Sequence, residues 1–598
     1  MQATLRHSLA VAAFAAAALA QAPKPLIQSG ADLVPTSAYA VLQFGGIERC
    51  AANTRQWPIA EMIGAFVRKL PAETREEHLD RGLEQAAEQV RRALGRAHVD
   101  PADLRDVLSC PMTVALGRPT IEGMGPSVAL LIETGNREAA VQRLLAIGEG
   151  ALRRGGGPGL QDTKVGGVAA KMVQIPNGPP VFVAKVGGHL CLTNSRGLLT
   201  EVAAVQRGEQ PALAQATVLG NLGQQLGAPP IASAYANTAV IARMLEPVLP
   251  YEAGEWADAL GVGSLDALYA GFGATDSAGV DLVHIGLRGS PEGLVKSSCH
   301  KPADLGFANY CSENTVLFGV RSFDVSALID AAQRFVQMLP QEAQREIDRE
   351  FSRELTRELR HVGMTPADLE GMLRAFGDQM GLAIGLEAGA IPKPELLLRV
   401  GVRDRQTMQA LLQHLEQLVA HEAGMEWKTR KVGDLEIRYF SLPIEDKLQL
   451  TPCYALTDDA VMVASDVMAL TRSLRRAEEP GESLSAQDDF KAMAKEFAGA
   501  NDILHVRAFR LAELGWRTVE TLAYPQLDAH RDEIGFGSEA LPDAETMAAA
   551  LGSSTFACFV DERGITQRHR GLISIGSILA TVGTLADEVL GRASSKIY

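Results

Sequence analysis

Two segments of this chain, far apart in the sequence, follow the same pattern, and this repeat constrains the fold more than any other feature. Residues 184–226 align with residues 455–497 without a gap. Both contain an apolar run, a two-residue turn, a second apolar run and then apolar residues at helical spacing. The turns are Gly187-Gly188 and Asp458-Asp459, which suit a β-hairpin. The repeat therefore predicts two copies of one strand-turn-strand-helix unit.

The correspondence continues upstream at nearly the same spacing, so the insertions between the copies are small. Short turns between neighbouring strands favour antiparallel pairing, and the helices that alternate with such strands cover one face of the sheet. We therefore expect an α+β fold of two related halves, each an antiparallel sheet covered by helices. The further matching segments are residues 126–132 with 394–400, 164–166 with 431–433, and 101–104 with 366–369.

Two matching helices are predicted to begin at equivalent prolines. Pro101 follows Asp100, and Pro366 follows Thr365. Proline suits the first position of a helix, and the preceding Asp or Thr side chain accepts a hydrogen bond from a free N–H group of the first turn.

The N-terminal segment is typical of an export signal. Arg6 and His7 precede an unbroken apolar run at residues 9–19, and Ala18-Leu19-Ala20 has the small-x-small pattern of a cleavage site. We expect cleavage near Ala20 and a periplasmic or extracellular protein. The chain then divides into a signal peptide (1–20), a first α+β half (21–305) and a second half with a C-terminal helix (306–598).

Charge limits the class of partner. The 598 residues carry a net charge of −15, which repels polyanions, so the sequence argues against nucleic acid and against an anionic membrane surface. An unknown protein or a small molecule remains as the partner.

The C-terminal segment at residues 571–586 is uncharged but shorter than the about 20 residues that span a bilayer. Its apolar residues recur every three or four positions, which predicts a helix over residues 574–590 that packs on the protein through this stripe. The alternative is a membrane anchor. The stripe consists of Ile575, Ile578, Leu579, Val582 and Leu585.

The seven cysteines include no C-x-x-C pair, so neither a zinc knuckle nor a thioredoxin-like site is indicated. In an oxidising compartment, Cys299 and Cys311 could form a disulfide, which the sequence neither requires nor excludes.

The repeated layout resembles a family of large exported bacterial proteins catalogued only as a domain of unknown function. The residues that carry the resemblance are 128–145, 164–167 and 184–199 with their second-half partners, and Asp488-Asp489-Phe490 at the start of a late helix. The resemblance implies export and an α+β fold, and it implies no activity.

The sequence contains no complete catalytic motif and no cofactor-binding motif, since Ser298-Cys299-His300-Lys301 fits S-x-x-K but has no S-D-N or K-T-G partner. His284 and His569 each follow a turn glycine, Gly279 or Gly564, at the same distance along the chain. Two imidazoles at matching positions are weak candidates for metal ligands. The competing interpretation is a pair of half-exposed strand histidines, because no carboxylate or cysteine recurs beside both.

The sequence therefore favours an exported, non-enzymatic binding or scaffold protein. One alternative is a hydrolase with a dispersed catalytic set, which would show a deep pocket where titratable groups converge. Another is a carrier of an apolar molecule, held in a cavity lined by residues such as Leu190, Leu192, Val461 and Val463. A binding protein would instead show a broad apolar or open sheet face.

Overall fold

A computed structural model describes most of the chain beyond residue 29. The described residues are 30–54, 57–70, 81–118, 125–154, 159–175, 178–215, 224–228, 230–245, 262–289, 301–338, 341–361, 363–387, 393–445, 448–534, 536–572 and 574–595. The predicted signal peptide and Cys299 lie outside these residues. Cys311 is buried, and its thiol donates to the Phe307 carbonyl oxygen at 3.4 Å.

Ten antiparallel strands form the first half of a large sheet, in the spatial order β4-β5-β6-β7-β3-β2-β1-β8-β9-β10. Three consecutive hairpins thus build one end of the sheet, and the strand that opens the half lies in its interior. The strands are β1 (Ala40–Phe44), β2 (Met112–Gly117), β3 (Ser127–Glu133), β4 (Gln161–Val165), β5 (Val168–Val173), β6 (Val181–Val186), β7 (His189–Thr193), β8 (Pro230–Ala236), β9 (Leu265–Ala274) and β10 (Gly279–Leu287).

The second half repeats this strand order as β14-β15-β18-β19-β13-β12-β11-β20-β21-β22, and β16 and β17 pair separately. The strands are β11 (Thr315–Ser322), β12 (Phe376–Glu387), β13 (Lys393–Val402), β14 (Lys428–Val432), β15 (Leu435–Tyr439), β16 (Leu442–Glu445), β17 (Leu448–Leu450), β18 (Cys453–Leu456), β19 (Ala460–Ala464), β20 (Asp502–Val506), β21 (Ser554–Asp561) and β22 (Gly564–Gly571).

The residues that the sequence comparison matched occupy the same ladder positions in both halves. Ala184 pairs with Cys191 across the β6–β7 hairpin, and Ala455 pairs with Met462 across the β18–β19 hairpin. In the gapless alignment, Ala184 corresponds to Ala455 and Cys191 corresponds to Met462. The shared pattern therefore coincides in strand order and in register.

The two halves form one sheet rather than two. β10 pairs antiparallel with β22, from Gly279 opposite Gly571 to Gly286 opposite Gly564, so that 20 strands of the described chain are continuous. The separate sheet that the sequence predicts for each half therefore does not form. The β10–β22 seam could not be anticipated, because strand pairing between distant segments leaves no local pattern.

The helices of the first half lie on both sides of this sheet. They are α1 (Ile47–Thr54), α2 (Pro58–Lys69), α3 (Arg81–Arg96), α4 (Pro101–Ser109), α5 (Glu138–Arg154), α6 (Arg196–Gln206) and α7 (Thr238–Leu245). The predicted start of α4 is confirmed, since the Asp100 side chain accepts a hydrogen bond from Ala102 N at 2.8 Å.

The helices of the second half are α8 (Val325–Met338), α9 (Gln341–His361), α10 (Pro366–Ala375), α11 (Arg405–Ala423), α12 (Val467–Glu478), α13 (Asp488–Glu496), α14 (Ala508–Leu522), α15 (Tyr524–Ala529), α16 (Arg531–Ile534), α17 (Ala544–Leu551) and α18 (Ile575–Ser595). Thr365 caps α10 in a reciprocal pair of hydrogen bonds with Asp368, as its sequence predicts.

One sheet face, here called the core face, is buried in both halves. In the first half, Val41, Leu131 and Leu282 pack in a cluster with Leu199 and Val202 of α6. In the second half, the equivalent cluster joins sheet residues to α12 and α13, and its members include Phe318, Ala383, Leu470 and Phe490. Each fully buried large side chain contributes roughly 1.5–3 kcal/mol, so this face supplies much of the stability.

The C-terminal helix forms as predicted, but it packs through the opposite face. Its buried residues include Gly576, Ala580 and Gly583, whereas the predicted stripe is mostly outside. Ile575, Ile578, Val582 and Leu585 are each at least half exposed, and Leu579 alone packs beside the Trp57 cluster. The small residues face inward because α18 lies too close to its neighbours for large side chains. Among the described residues, no helix is both long enough and apolar enough to cross a membrane.

Candidate binding surface

The second sheet face, here called the open face, carries large apolar side chains that remain exposed. Residues alternate between faces along a strand, and the cross-strand pairs place all six of these side chains opposite the core face. Each is between 37 and 51% exposed. They are Leu42, Leu268, Leu382, Leu396, Leu504 and Phe556. Contiguous exposed apolar surface of this kind marks a binding site in a folded protein.

Helices cover only part of the open face. In the first half, Ile132 and Leu190 pack with Val141 of α5, and Ile231 and Ala274 pack with the Cys50 cluster of α1 and α18. Beyond these clusters, Leu42 of β1 and Leu268 of β9 remain accessible. The exposed strip therefore begins where helix coverage ends.

A row of cross-strand neighbours runs outward from the seam through the first half. Each residue of this row, here called the first arm, pairs directly with the next across the sheet. All of its members are apolar and none is fully buried, but its outer members Leu130 and Leu192 pack against the α5 cluster. The first arm is Val283, Ala270, Ala234, Leu42, Val114, Leu130 and Leu192.

A second row, here called the second arm, runs outward through the other half in the opposite direction. It occupies the same strands of the repeated order, and its outer members Leu398 and Val463 align in sequence with Leu130 and Leu192 of the first arm. Apart from His569 at the seam, its members are accessible. The second arm is His569, Phe556, Leu504, Gly319, Leu382, Leu398 and Val463.

Polar groups lie where the arms meet at the seam. Gln567 pairs with Val283 at the inner end of the first arm, and Asp281 pairs with His569 at the inner end of the second. The Asp281 carboxylate lies 3.4 Å from His569 Nδ1 and accepts the Ile575 and Gly576 N–H groups at the start of α18, both at 2.8 Å. These bonds fix Asp281 and orient the imidazole.

His569 is held rigidly at the seam. Its ring stacks on Phe556 with centroids 3.7 Å apart and planes only 3° from parallel. The side chain is 8% exposed, and its Nε2 has no hydrogen-bond partner among the described residues. A buried polar atom without a partner is costly, so this nitrogen is suited to meet a polar group of a bound molecule.

The amphipathic helix α2 starts at the edge of the open face and has no buried residue. Its Ile59 and Ala60 pack beside Phe44, while Ile63 is 51% exposed. Helix α14 likewise has no buried residue, and it contacts α17, which contacts α2. This group of helices therefore leaves apolar side chains uncovered next to an apolar sheet face.

The two histidines singled out by the sequence do not meet. His284 lies on the core face, where its Nδ1 is 2.9 Å from Thr566 Oγ1, and burial lowers the pKa of its imidazole. His569 lies on the open face. Their strands are neighbours in the sheet, but their side chains point to opposite sides. Among the described residues, no cluster of His, Cys, Asp or Glu has metal-binding geometry.

The residues named for an apolar cavity all lie on the open face, but they do not enclose a cavity together. Leu192 and Val463 end the two arms, and Leu190 and Val461 are buried beside them. The sequence did not single out Leu42, Leu504 and Phe556. The sequence does contain a signal for these exposed residues, since strands such as β21 carry apolar residues at positions that point to both faces of the sheet.

Two depressions lie in the described surface. One, of about 60 Å³, lies between α13 and the seam strands, and the groups that line it include Thr275, Asp281, His569 and Arg568. It is too small to enclose an ordinary small-molecule ligand. The other, of about 330 Å³, is a shallow opening beside Asp32 and Glu209.

Comparison with protein-family models, with curated proteins and with solved structures finds no match for this chain. Its function is therefore inferred from the open face itself.

Proposed function

We propose that this chain is an exported binding protein that holds an apolar molecule on the open face of its sheet. The observation that carries the proposal is the presence of six large, exposed apolar side chains on one sheet face, four of them within the two arms. Scattered apolar residues at a surface are ordinary, whereas a contiguous apolar face is a binding site or an aggregation hazard.

An apolar ligand suits this face better than a large polar partner. The two arms are apolar from the seam outward, and hydrogen-bonding side chains occur at their inner ends. Helices α2 and α14, which have no buried residue of their own, supply apolar surface nearby. Burial of a ligand between apolar surfaces stabilises the complex by roughly 25 cal/mol for each Å² removed from water.

Two features of the proposal rest on the sequence. The export pattern at residues 1–20 supports a periplasmic or extracellular location. The common strand order and register of the two halves support their origin as copies of one unit, and hence two equivalent apolar arms on one face. The likeness to exported proteins of unknown function belongs to the same proposal.

Titration of the purified chain with a neutral apolar dye, N-phenyl-1-naphthylamine, tests the proposal. We expect saturable fluorescence enhancement, and at least tenfold weaker binding in Leu42→Asp and Leu504→Asp, because a carboxylate on the face must be desolvated when the dye binds. Leu415→Asp is the matched control, since Leu415 on α11 is 42% exposed and lies outside the arms. Equal loss in the control, or absence of saturable binding, contradicts the proposal.

A further inference from the structure

We infer that the ligand is a two-chain amphiphile with an uncharged or zwitterionic head, one chain lying along each arm and the head at the seam. This inference rests on the proposed function and specifies its ligand. Two equivalent apolar rows leave a common polar centre in opposite directions. A single elongated chain would have to place its apolar middle on that polar centre.

The dimensions of the arms suit acyl chains. Each arm has seven positions and therefore six interstrand steps of about 4.8 Å, which gives a path of about 29 Å along the sheet. In the first arm, Leu130 and Leu192 pack against the α5 cluster, so the open path from Val283 to Val114 has four steps and is about 19 Å long. One lipid leaflet contributes about half of the roughly 30 Å hydrocarbon thickness of a bilayer. Each arm is thus long enough to accommodate one extended acyl chain of ordinary length.

Small side chains within the arms leave room for a chain between larger residues. In the first arm, Ala234 and Ala270 separate Leu42 from Val283. In the second arm, Gly319 separates Leu504 from Leu382, and a Cβ added there would meet its nearest neighbour, Leu504 Cδ1, at 3.5 Å. Each arm therefore contains a shallow depression, at β8 and β9 in the first arm and at β11 in the second.

The exposed amide of Gln567 suits the seam to a head that accepts hydrogen bonds, because its NH2 group donates. On the same face and strand, the buried Nε2 of His569 has no partner among the described residues, and in the neutral imidazole it accepts a hydrogen bond when Nδ1–H points at Asp281. The only carboxylate among these seam groups, Asp281, is already bonded to the start of α18. The net charge of −15 repels an anionic head, which favours ester or zwitterionic phosphate oxygens.

Native mass spectrometry of the full chain with methyl palmitate, dipalmitoyl phosphatidylcholine, dipalmitoyl phosphatidylglycerol and hexadecane tests this ligand class. We expect two molecules of the uncharged palmitate ester per chain but one dipalmitoyl phosphatidylcholine, with at least tenfold weaker binding of the phosphatidylglycerol. Gln567→Leu should lower the preference for phosphatidylcholine over hexadecane at least tenfold.

Variants that fill one arm provide the decisive comparison. Ala234→Leu and Gly319→Leu should each reduce methyl palmitate from two to one per chain and weaken phosphatidylcholine binding at least tenfold, while circular dichroism reports retained folding. Leu42→Asp is a second variant that should prevent a chain from binding in the first arm. The control Leu415→Asp should leave the number of bound methyl palmitates and of bound phosphatidylcholines unchanged.

The experiment distinguishes failure of the proposed function from failure of the proposed ligand class. If neither methyl palmitate nor hexadecane binds, the proposed function is wrong. If methyl palmitate binds once per chain, or if phosphatidylglycerol binds as well as phosphatidylcholine, the two-arm assignment or the head assignment is overturned while apolar binding stands.

Discussion

At the scale of single residues, the strongest constraint is a buried ion pair that joins α13 to the sheet. Arg507 is 1% exposed, and its Nε and Nη2 donate to the two Asp489 carboxylate oxygens at 2.6 and 3.0 Å. A third donor, Nη1, reaches the Thr315 carbonyl oxygen at 3.1 Å. The guanidinium therefore depends on Asp489 for its only carboxylate partner among the described residues.

Asp489→Ala should lower the free energy of unfolding by about 3–5 kcal/mol, because it leaves a buried guanidinium charge unpaired. The double variant with Arg507→Met should recover much of this loss. Asp488→Ala is the control, since its side chain is fully exposed and such changes alter stability by at most about 0.5 kcal/mol. Urea unfolding measures all three, and equal stability of both single aspartate variants would contradict the assignment.

The Asp489–Arg507 ion pair also predicts that the stability of the fold decreases at low pH. Burial by itself would raise the pKa of the Asp489 carboxyl, but His505 and Arg507 overcome this effect and hold it well below its usual value. A carboxyl with a lowered folded-state pKa contributes stability above its unfolded pKa of about 3.9, and this contribution is lost as pH falls further. The stability difference between the natural chain and Asp489→Ala should therefore shrink below about pH 4. A pH-independent difference would contradict this.

At the scale of elements, α18 shows how close approach decides which helix face is buried. A Cβ on Gly583 would lie 2.5 Å from the Cys50 Cβ and Sγ atoms of α1, and one on Gly576 would lie 2.2 Å from the Gly273 carbonyl oxygen. Arg105 of α4 adds an ion pair to the buried Asp587 at 2.7 Å. The helix therefore presents its small residues inward.

Gly583→Ala and Gly591→Ala form a matched pair on this helix. Both remove a helix-weakening glycine, which by itself favours the helix by up to about 1 kcal/mol. A Cβ at position 591 meets only Arg105 Cζ, at 3.9 Å, whereas one at 583 collides with Cys50. We expect Gly591→Ala to raise the thermal midpoint and Gly583→Ala to lower stability by about 1–3 kcal/mol. Stabilisation by both would mean that α18 packs through another face.

At the scale of the whole molecule, the halves are joined by the β10–β22 ladder and by α18, which belongs to the second half but contacts α1, α3 and α4 of the first. Residues 21–305 and 306–598 expressed together as separate chains should therefore copurify as a one-to-one complex. Second-half chains ending at residue 570 should associate more weakly, because the α18 contacts are removed. Analytical ultracentrifugation measures the association of each pair of chains. Independent sedimentation of the two halves would contradict the proposed joining through the β10–β22 ladder and α18.

The sequence alone determined much of the local structure. The turns at Gly187-Gly188 and Asp458-Asp459, the helix starts after Asp100 and Thr365, and the C-terminal helix all occur where they were predicted. These features depend on residues that are close together in the sequence, through turn conformation, helix capping and apolar periodicity. The sequence is therefore sufficient to predict them. The α+β class follows from the same local signals.

Only the tertiary structure decided which faces are buried. The apolar stripe predicted to pack α18 on the protein is mostly exposed to solvent. His284 and His569 lie on opposite faces of the sheet, and the two sheets expected from the sequence form one continuous sheet. Periodicity identifies an apolar face but not the surface that covers it, since Gly583 is buried for its lack of a side chain against Cys50. The open face likewise depends on where helices stop, because Leu42 and Val41 are both apolar and only packing between distant segments leaves Leu42 exposed.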